Sequence, residues 1–331
     1  MDAISAFLDG PRASSAFLLR SIMDPPWSLR IEDEAPVTIV AMVAGTAWII
    51  PDAAPATCLS DGDVAIVKGP HHYTVSDDLA TAPQIVIHPG QVCTTLDGAH
   101  LEEPMSLGVR TWGNSASGVT TMLTGTYTTG GEISQHLLDA LAPVVVVRRA
   151  DWDSPLVGLL ASEITRDDPG QHAVLDRLLD LLLVAMLREW FSQPDAATPT
   201  WYRASDDAVV GMAVRLLHNN PQHQWTVAEL ARHVGVSRAT LARRFNDLAG
   251  EPPMAFLMRW RMAIAADLLC APDATVTSVA YEVGYNSPFT FSTSFKRHHG
   301  HSPTHHRAQA KLAAGPRYLS PASRHRASPP V

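Results

Sequence analysis

Cysteine is scarce in this sequence. There are three in 331 residues, Cys58, Cys93 and Cys270, and none forms a CxxC spacing. That excludes a disulfide framework or zinc knuckle and fits a reducing compartment. Long apolar runs are missing too: none approaches the ~18 residues needed to span a bilayer. The opening stretch MDAISAFLDGPRASS lacks a basic region followed by an apolar core. A cytoplasmic protein without membrane contact is therefore expected. No GxSxG, phosphate-loop or dinucleotide fingerprint occurs, so the sequence offers no motif for those chemistries.

What is present is unevenly placed. The net charge of −8 conceals a split. Residues 1–200 carry 10 Lys and Arg against 25 Asp and Glu, a net of −15, while residues 201–331 carry 15 against 8, a net of +7. Nine of the 15 histidines also fall in the second part. An acidic part joined to a basic one is the pattern of a polyanion-binding domain tethered to something else. The join is visible as SQPDAATPT, Ser192 to Thr200, rich in proline, alanine and threonine. The expected organisation is an N-terminal domain over 1–191, a linker over 192–204, a basic domain over 205–307 and a disordered tail over 308–331.

The basic domain contains an internal repeat. Thr226, Val227, Leu230, Ala231, Val234 and Gly235 recur 49 residues on as Thr275, Val276, Val279, Ala280, Val283 and Gly284. With one residue inserted, Ser237, Thr240, Phe245, Gly250 and Pro253 match Ser287, Thr290, Phe295, Gly300 and Pro303. Each copy, about 227–248 and 276–298, reads as helix, tight turn, helix. A small alanine allows close approach, a glycine turns the chain, and a serine caps the second helix. Pro288 stands at the first helical position, where proline is best tolerated. Leu241 with Phe245, and Phe291 with Phe295, point inward one turn apart. Between the copies, Pro253 to Cys270 predicts one long helix with Phe256, Leu257, Trp260, Ile264 and Leu268 along one stripe. Such a helix would let two recognition helices enter successive major grooves, about 34 Å apart.

This tandem arrangement resembles the DNA-binding domain of the AraC/XylS family of transcription regulators. The resemblance rests on WTVAELARHVGVSRATLARRF, GEPPMAFLMRWRMAIAADLL and VTSVAYEVGYNSPFTFSTSFKRHHGHSPTHHR. It implies that Arg238, Ala239, Ala242 and Arg243 face bases from the first unit, with Arg243 suited to a bidentate contact with guanine. Phe289, Thr290, Ser292 and Thr293 occupy the corresponding face of the second. Many family members carry a basic residue where this chain has Thr293, so weak base specification is expected there, with Phe289 against a thymine methyl. Arg244, Ser237, Ser287, Lys296 and Arg297 are expected at phosphates. In RHHGHSPTHHR, His301 and His305 are four apart, but Pro303 between them argues against one helix presenting both to a metal. A polar terminus near phosphate is the better reading.

In the acidic part, residues ~25 to 130 break into short β-branched runs such as VTIVAMV, AWIIP, DVAIVKG, YTVSDD and QIVIHPG. These predict an antiparallel barrel or sandwich. LSDGDVAIVKGPHHYTVSD, with its Gly62–Asp63 turn, and DPPW at Asp24 to Trp27 resemble the cupin-like domain that precedes the tandem helices in one branch of the AraC family. Metal-dependent cupins need a His-x-His set. His71 and His72 are adjacent and would point to opposite faces of a strand, and the expected early histidine strand has none. His72, His88 and Cys93 remain as candidates for an effector or redox site, since a thiolate–imidazole pair binds soft metals or senses oxidants. A helical pair follows over about 154–191, with Leu175, Leu178, Leu179, Leu182, Leu183, Met186 and Trp190 on one stripe and Leu181, Val184 and Phe191 on the far side. The second apolar face predicts a homodimer.

The fold class expected is α+β multi-domain: a cupin-like β-barrel with a helical dimerisation segment, then an all-α tandem helix-turn-helix domain. The expected function is a sequence-specific DNA-binding regulator, not an enzyme, and an activator by family resemblance. Its expected partners are double-stranded DNA, RNA polymerase and a small-molecule effector, with no cofactor. The competing reading is a cupin-type small-molecule or metal-binding enzyme with an appended helical domain.

Overall fold

A computed structural model describes residues 16–127, 141–152, 154–193, 202, 204, 206–271 and 273–313. Most of the expected linker and residues 314–331 of the tail lie outside them. The chain divides into two compact units, residues 1–220 with 225–257 and residues 221–224 with 258–331.

The first unit begins with two β-sheets. One has seven strands in the order β10 (Ser106–Gly108), β11 (Thr111–Gly113), β1 (Phe17–Met23), β12 (Thr120–Tyr127), β3 (Val37–Ala44), β6 (Val64–Lys68) and β13 (Val144–Val147). The other has six, in the order β5 (Thr57–Leu59), β4 (Ala47–Pro51), β7 (Tyr73–Ser76), β2 (Ser28–Ile31), β8 (Ile85–His88) and β9 (Val92–Thr95). Most pairs are antiparallel, but β1–β11 and β2–β8 are parallel. All five runs named from the sequence are strands. The structure adds β1, before the region assigned to strands, and β13, whose Val144–Val147 run was not recognised.

The side chains explain which runs are continuously apolar. Val40 and Met42 of β3, and Ala65 and Val67 of β6, share one core with Leu29, Ile49, Val75 and Ile87 of the facing sheet. The alternate residues Ile39, Ala41, Val64 and Ile66 are also buried, on the face covered by helices α1 (Leu156–Glu163) and α2 (Gln171–Ser192). A sheet buried on both faces demands apolar residues at every position. In β8, Ile85 and Ile87 are buried while Val86 and His88 are half-buried, the ordinary period of two.

Helix α2 approaches the sheet closely at Gly125 of β12. A methyl group there would sit 2.5 Å from Leu179. Leu175, Leu179, Leu182, Leu183 and Met186 are buried as the helical spacing predicts, and so are Leu187 and Phe191. Phe191, expected on the far side, packs against Tyr202, with ring centroids 4.7 Å apart. The outward apolar positions are Val174 and Leu181, which lie seven residues apart and are about half exposed.

The Gly62–Asp63 turn is a polar anchor. Gly62 has φ +79° and leaves room for the Arg149 side chain. Asp63 is 5% exposed. Its carboxylate accepts from the Ser60 amide at 3.0 Å, the Arg149 amide at 3.0 Å and the Arg148 guanidinium at 2.8 Å. Burial alone would raise its pKa, but the two backbone donors and Arg148 outweigh burial and hold it below the usual carboxylate range.

The same unit continues with α3 (Val210–Asn219), α4 (Val227–His233), α5 (Arg238–Ala249) and the first turns of α6 (Pro253–Leu269). Leu217, Leu230, Leu241 and Phe245 are fully buried in their shared core. The second unit holds the rest of α6, α7 (Val276–Glu282), α8 (Pro288–His299) and α9 (Pro303–Ala313), around Met262, Val279, Ala280, Phe291 and Phe295. Helix α9 carries regular structure past residue 307, where the tail was expected to begin. Helix α6 departs from the single stripe expected of it. Trp260, Ile264 and Leu268 are half-buried, whereas Met262, Ala263, Ala265 and Ala266 are buried. Its residues belong to two cores, so no one stripe describes it. Among the described residues, no helix is long and apolar enough to cross a membrane.

Replacing Asp63 by asparagine should lower stability by about 1.5–3 kcal/mol near pH 7, the range for hydrogen bonds to a charged group. Because the folded pKa is depressed, that contribution is complete above the unfolded pKa near 4 and disappears as pH falls through the lower folded value. Urea unfolding of both proteins from pH 7 to pH 3 should therefore show the difference shrinking only at the acidic end.

Candidate nucleic-acid interface

Helices α4 and α5 are set by three local devices. The Thr226 hydroxyl accepts from the Glu229 amide at 3.1 Å and caps α4. Gly235 turns the chain with φ +73°. The Ser237 hydroxyl accepts from the Thr240 amide at 3.1 Å and caps α5. The second unit repeats the scheme with a reciprocal Thr275–Ser278 capping box, Gly284 at φ +83°, and Ser287 accepting from the Phe289 amide at 3.2 Å. Ala231 and Ala280, the predicted small residues, are 2% and 0% exposed. Gly284 is crowded: a Cβ would meet the Gln222 carbonyl at 2.6 Å and Arg261 at 2.8 Å. The Gln224 side-chain amide donates to the Gly284 carbonyl at 2.6 Å, and Arg261 donates to the carbonyls of Pro221 and His223. This brace around the second turn was not anticipated.

On α5, Arg238, Ala239 and Arg243 are exposed and Ala242 is half-buried. Arg238 and Arg243 have no ion-pair partner among the described residues. Arg244 differs. Its Nε donates to Asp207 Oδ2 at 3.0 Å, and its Nη2 reaches the same oxygen. Asp207 also accepts from the amides of Val209 and Val210 through Oδ1, so one carboxylate caps α3 and holds Arg244. Burial pushes the Asp207 pKa up, and the Val210 amide and Arg244 bring it net below its ordinary value. The phosphate role expected for Arg244 therefore competes with an internal partner, which the sequence did not reveal because the two are 37 residues apart.

On α8, Phe289 is 81% exposed. Thr290, Thr293, Lys296 and Arg297 are exposed and Ser292 is half-buried. The Ser292 hydroxyl donates to the Pro288 carbonyl at 2.8 Å and the Thr293 hydroxyl to the Phe289 carbonyl at 3.0 Å. A shallow groove runs along this face, lined by Phe289, Ser292, Thr293, Lys296, Arg297 and Ser302.

The histidine cluster is organised around a pair other than the one considered from spacing. His301 Nε2 lies 3.1 Å from His306 Nδ1, with the ring centroids 5.4 Å apart and the planes within 8°. The centroid separation matches the N···N distance plus one ring radius on each side, so the rings meet edge to edge in one plane. His306 Nε2 faces the Ala266 carbonyl at 3.2 Å. A carbonyl only accepts, so His306 Nε2 carries a proton, and in the neutral ring Nδ1 then accepts from His301.

The three candidates in the sandwich do not come together. His72 is on the surface, its Nδ1 3.9 Å from Glu32, beside an Arg30–Asp52 ion pair of 2.6 Å. His88 bonds the Thr94 hydroxyl at 3.0 Å. Cys93 is buried in the core, paired across the ladder with Ile87, whereas His88 pairs with Val92. A one-residue offset on a strand puts them on opposite faces. Burial, reinforced by the charge of Glu102, pushes the Cys93 thiol up to about 12, so it is a protonated core thiol rather than a thiolate. Among the described residues no group of three His, Cys, Asp or Glu side chains is placed to hold a metal.

Comparison with known proteins adds an independent line. A family model described as Cupin matches residues 2–192, and one described as Helix-turn-helix domain matches residues 230–309. A putative AraC-like transcription regulator of Streptomyces antibioticus is 30% identical over 253 residues, 75% of this chain and 79% of that protein. One from Streptomyces lividans is 29% identical, covering 85% of this chain and 90% of its own length. The HTH-type transcriptional regulator AlkR of Acinetobacter baylyi is 26% identical over 94% of this chain and its entire length. With two sheets in the cupin region and capped helix pairs in the helix-turn-helix region, the chain belongs to the AraC family and is a DNA-binding transcription regulator with an N-terminal cupin domain.

Proposed function

We propose that this regulator reads its DNA site with both helix pairs, α5 and α8 being the elements presented to the major groove. The observation that carries this reading is the state of Arg243: exposed, free of any ion pair among the described residues, and one turn along a capped helix within the helix-turn-helix match. Arg238, Ala239 and Ala242 complete the base-facing surface of α5. Phe289, Thr290, Ser292 and Thr293 form that of α8. Ser237, Ser287, Lys296 and Arg297 hold phosphates. Arg244 is reassigned to bracing α5 against the start of α3. The helix-turn-helix domain takes residues 205–307 and the cupin domain residues 1–191.

The protein acts in the cytoplasm as a regulator, not an enzyme, and activates transcription through RNA polymerase. Two named relatives support the sign, the activator RclR of Escherichia coli and the activator RhaS of Yersinia pestis. A small molecule bound by the cupin domain controls it by differing in affinity between DNA-competent and DNA-incompetent states. Two copies pair through the outward face of α2, where Val174 and Leu181 are about half exposed.

Four outcomes are expected. In binding to a duplex selected from random DNA, Arg243→Ala should lose roughly tenfold to a hundredfold against a scrambled duplex, the equivalent of about 1–3 kcal/mol of base discrimination. Each of Lys296→Ala and Arg297→Ala should flatten the slope of log affinity against log salt by about 0.9. Arg244→Ala should leave that slope unchanged and lower stability by about 0.5–1 kcal/mol, as suits a partly exposed pair. A slope that flattens with Arg244→Ala would return that residue to the phosphates. Sedimentation should show a dimer at micromolar concentration and a monomer for Leu181→Glu; a monomeric wild type would remove the pairing.

A further inference from the structure

We propose that α8 recognises thymine by its 5-methyl group and that Phe289 is the specificity-determining residue. This rests on the DNA-reading role given to α8 above. Three observations combine. Phe289 holds a large apolar ring 81% exposed at the second position of α8. Leaving such a ring in water is unfavourable, so a surface that covers it gains from doing so. Its backbone amide donates a hydrogen bond to the Ser287 hydroxyl of the cap, so the ring projects from a fixed helix start.

The second observation concerns its neighbours. Of the three polar residues of this face, Ser292 and Thr293 both donate their hydroxyl protons to carbonyls one turn back, and only Thr290 makes no such bond. This inward bonding of serine and threonine is a recurrent helix habit, and it leaves neither position a free hydroxyl donor. The third is charge. Lys296 and Arg297 stand two turns further along, about 10 Å from Phe289 at 1.5 Å per residue, and line the same groove. One end of the groove is therefore apolar and the other cationic.

In the major groove the exposed hydrogen-bonding atoms of all four bases call for donors or acceptors, and the thymine 5-methyl is the apolar feature. The Phe289 ring fits that methyl and has no donor or acceptor of its own for a base edge, while the Ser292 and Thr293 hydroxyls beside it keep only acceptor capacity. The cations then hold the adjoining backbone. The two helix pairs read in different chemical languages, Arg243 by paired hydrogen bonds and Phe289 by methyl contact.

The test isolates the methyl. The full chain selects duplexes from a random library, and the most enriched duplex is remade with each thymine in turn replaced by deoxyuridine, which removes one methyl and keeps every hydrogen bond. Wild type should bind one or two of these duplexes about three- to fivefold more weakly, the worth of one buried methyl. Phe289→Ala, at a position exposed enough to leave the fold intact, should lose as much on the thymine duplex and be indifferent to the same deoxyuridines. If the selected duplex beats a scrambled one but wild type ignores every deoxyuridine, the thymine proposal falls and DNA reading by α8 and α5 stands. It falls equally if Phe289→Ala weakens thymine and deoxyuridine duplexes alike, the result expected of a ring wedged between bases. If selection enriches no sequence, the reading of DNA bases fails and takes the proposal with it.

Discussion

The helical units depend on one constraint, the close approach of two helices at a single small residue. Ala231 and Ala280 are almost inaccessible to solvent. Each sits four residues before a glycine in the left-handed region, Gly235 or Gly284. A larger side chain at the alanine would push the second helix away from the first, and a β-carbon at Gly284 would strike Gln222 and Arg261. The capping serines start the second helix at a defined residue. With closeness, turn and starting point all fixed, a rotation of about 100° per residue decides which side chains face inward. Leu241 and Phe245, or Phe291 and Phe295, go to the core, and the residues between them are left to face a partner.

Much of this was legible because it is local. Caps, turn glycines and the inward stripe are relations over three to five residues, and the repeat states each of them twice. The strand runs were legible for a similar reason, being short and bounded by Gly, Pro and Asp. Elements governed by distant partners were not. The Val144–Val147 strand carries no alternation, because its neighbours on both faces of the sheet are apolar. The single stripe expected on α6 fails because the helix serves two cores, and the outward place expected for Phe191 fails because Tyr202 covers it from beyond the helix.

The candidate site divides in the same way. The exposure of Arg238, Arg243 and Phe289 followed from helical phase. The engagement of Arg244 by Asp207 did not, since nothing local marks an ion pair across 37 residues. In the sandwich, strand parity alone sufficed to separate His88 from Cys93, once the register of β8 against β9 was known. The thiolate–imidazole pair expected among these residues is forbidden to His88 and Cys93 by the pleat. The buried thiol and the half-buried imidazole are ordinary residues of their two faces.

The contact between Gly125 and Leu179 carries one more implication. A strand and a helix usually meet through side chains that can change rotamer and absorb small displacements. Here the strand offers bare backbone, so there is no such cushion on its side. Close-packed interiors compress little. A displacement of β12 by a few tenths of an ångström therefore falls on the Leu179 side chain and, through it, on α2. In mechanical terms the glycine removes the give on the strand's side and leaves Leu179 to couple the sheet to the helix that bears Val174 and Leu181 on its outer side.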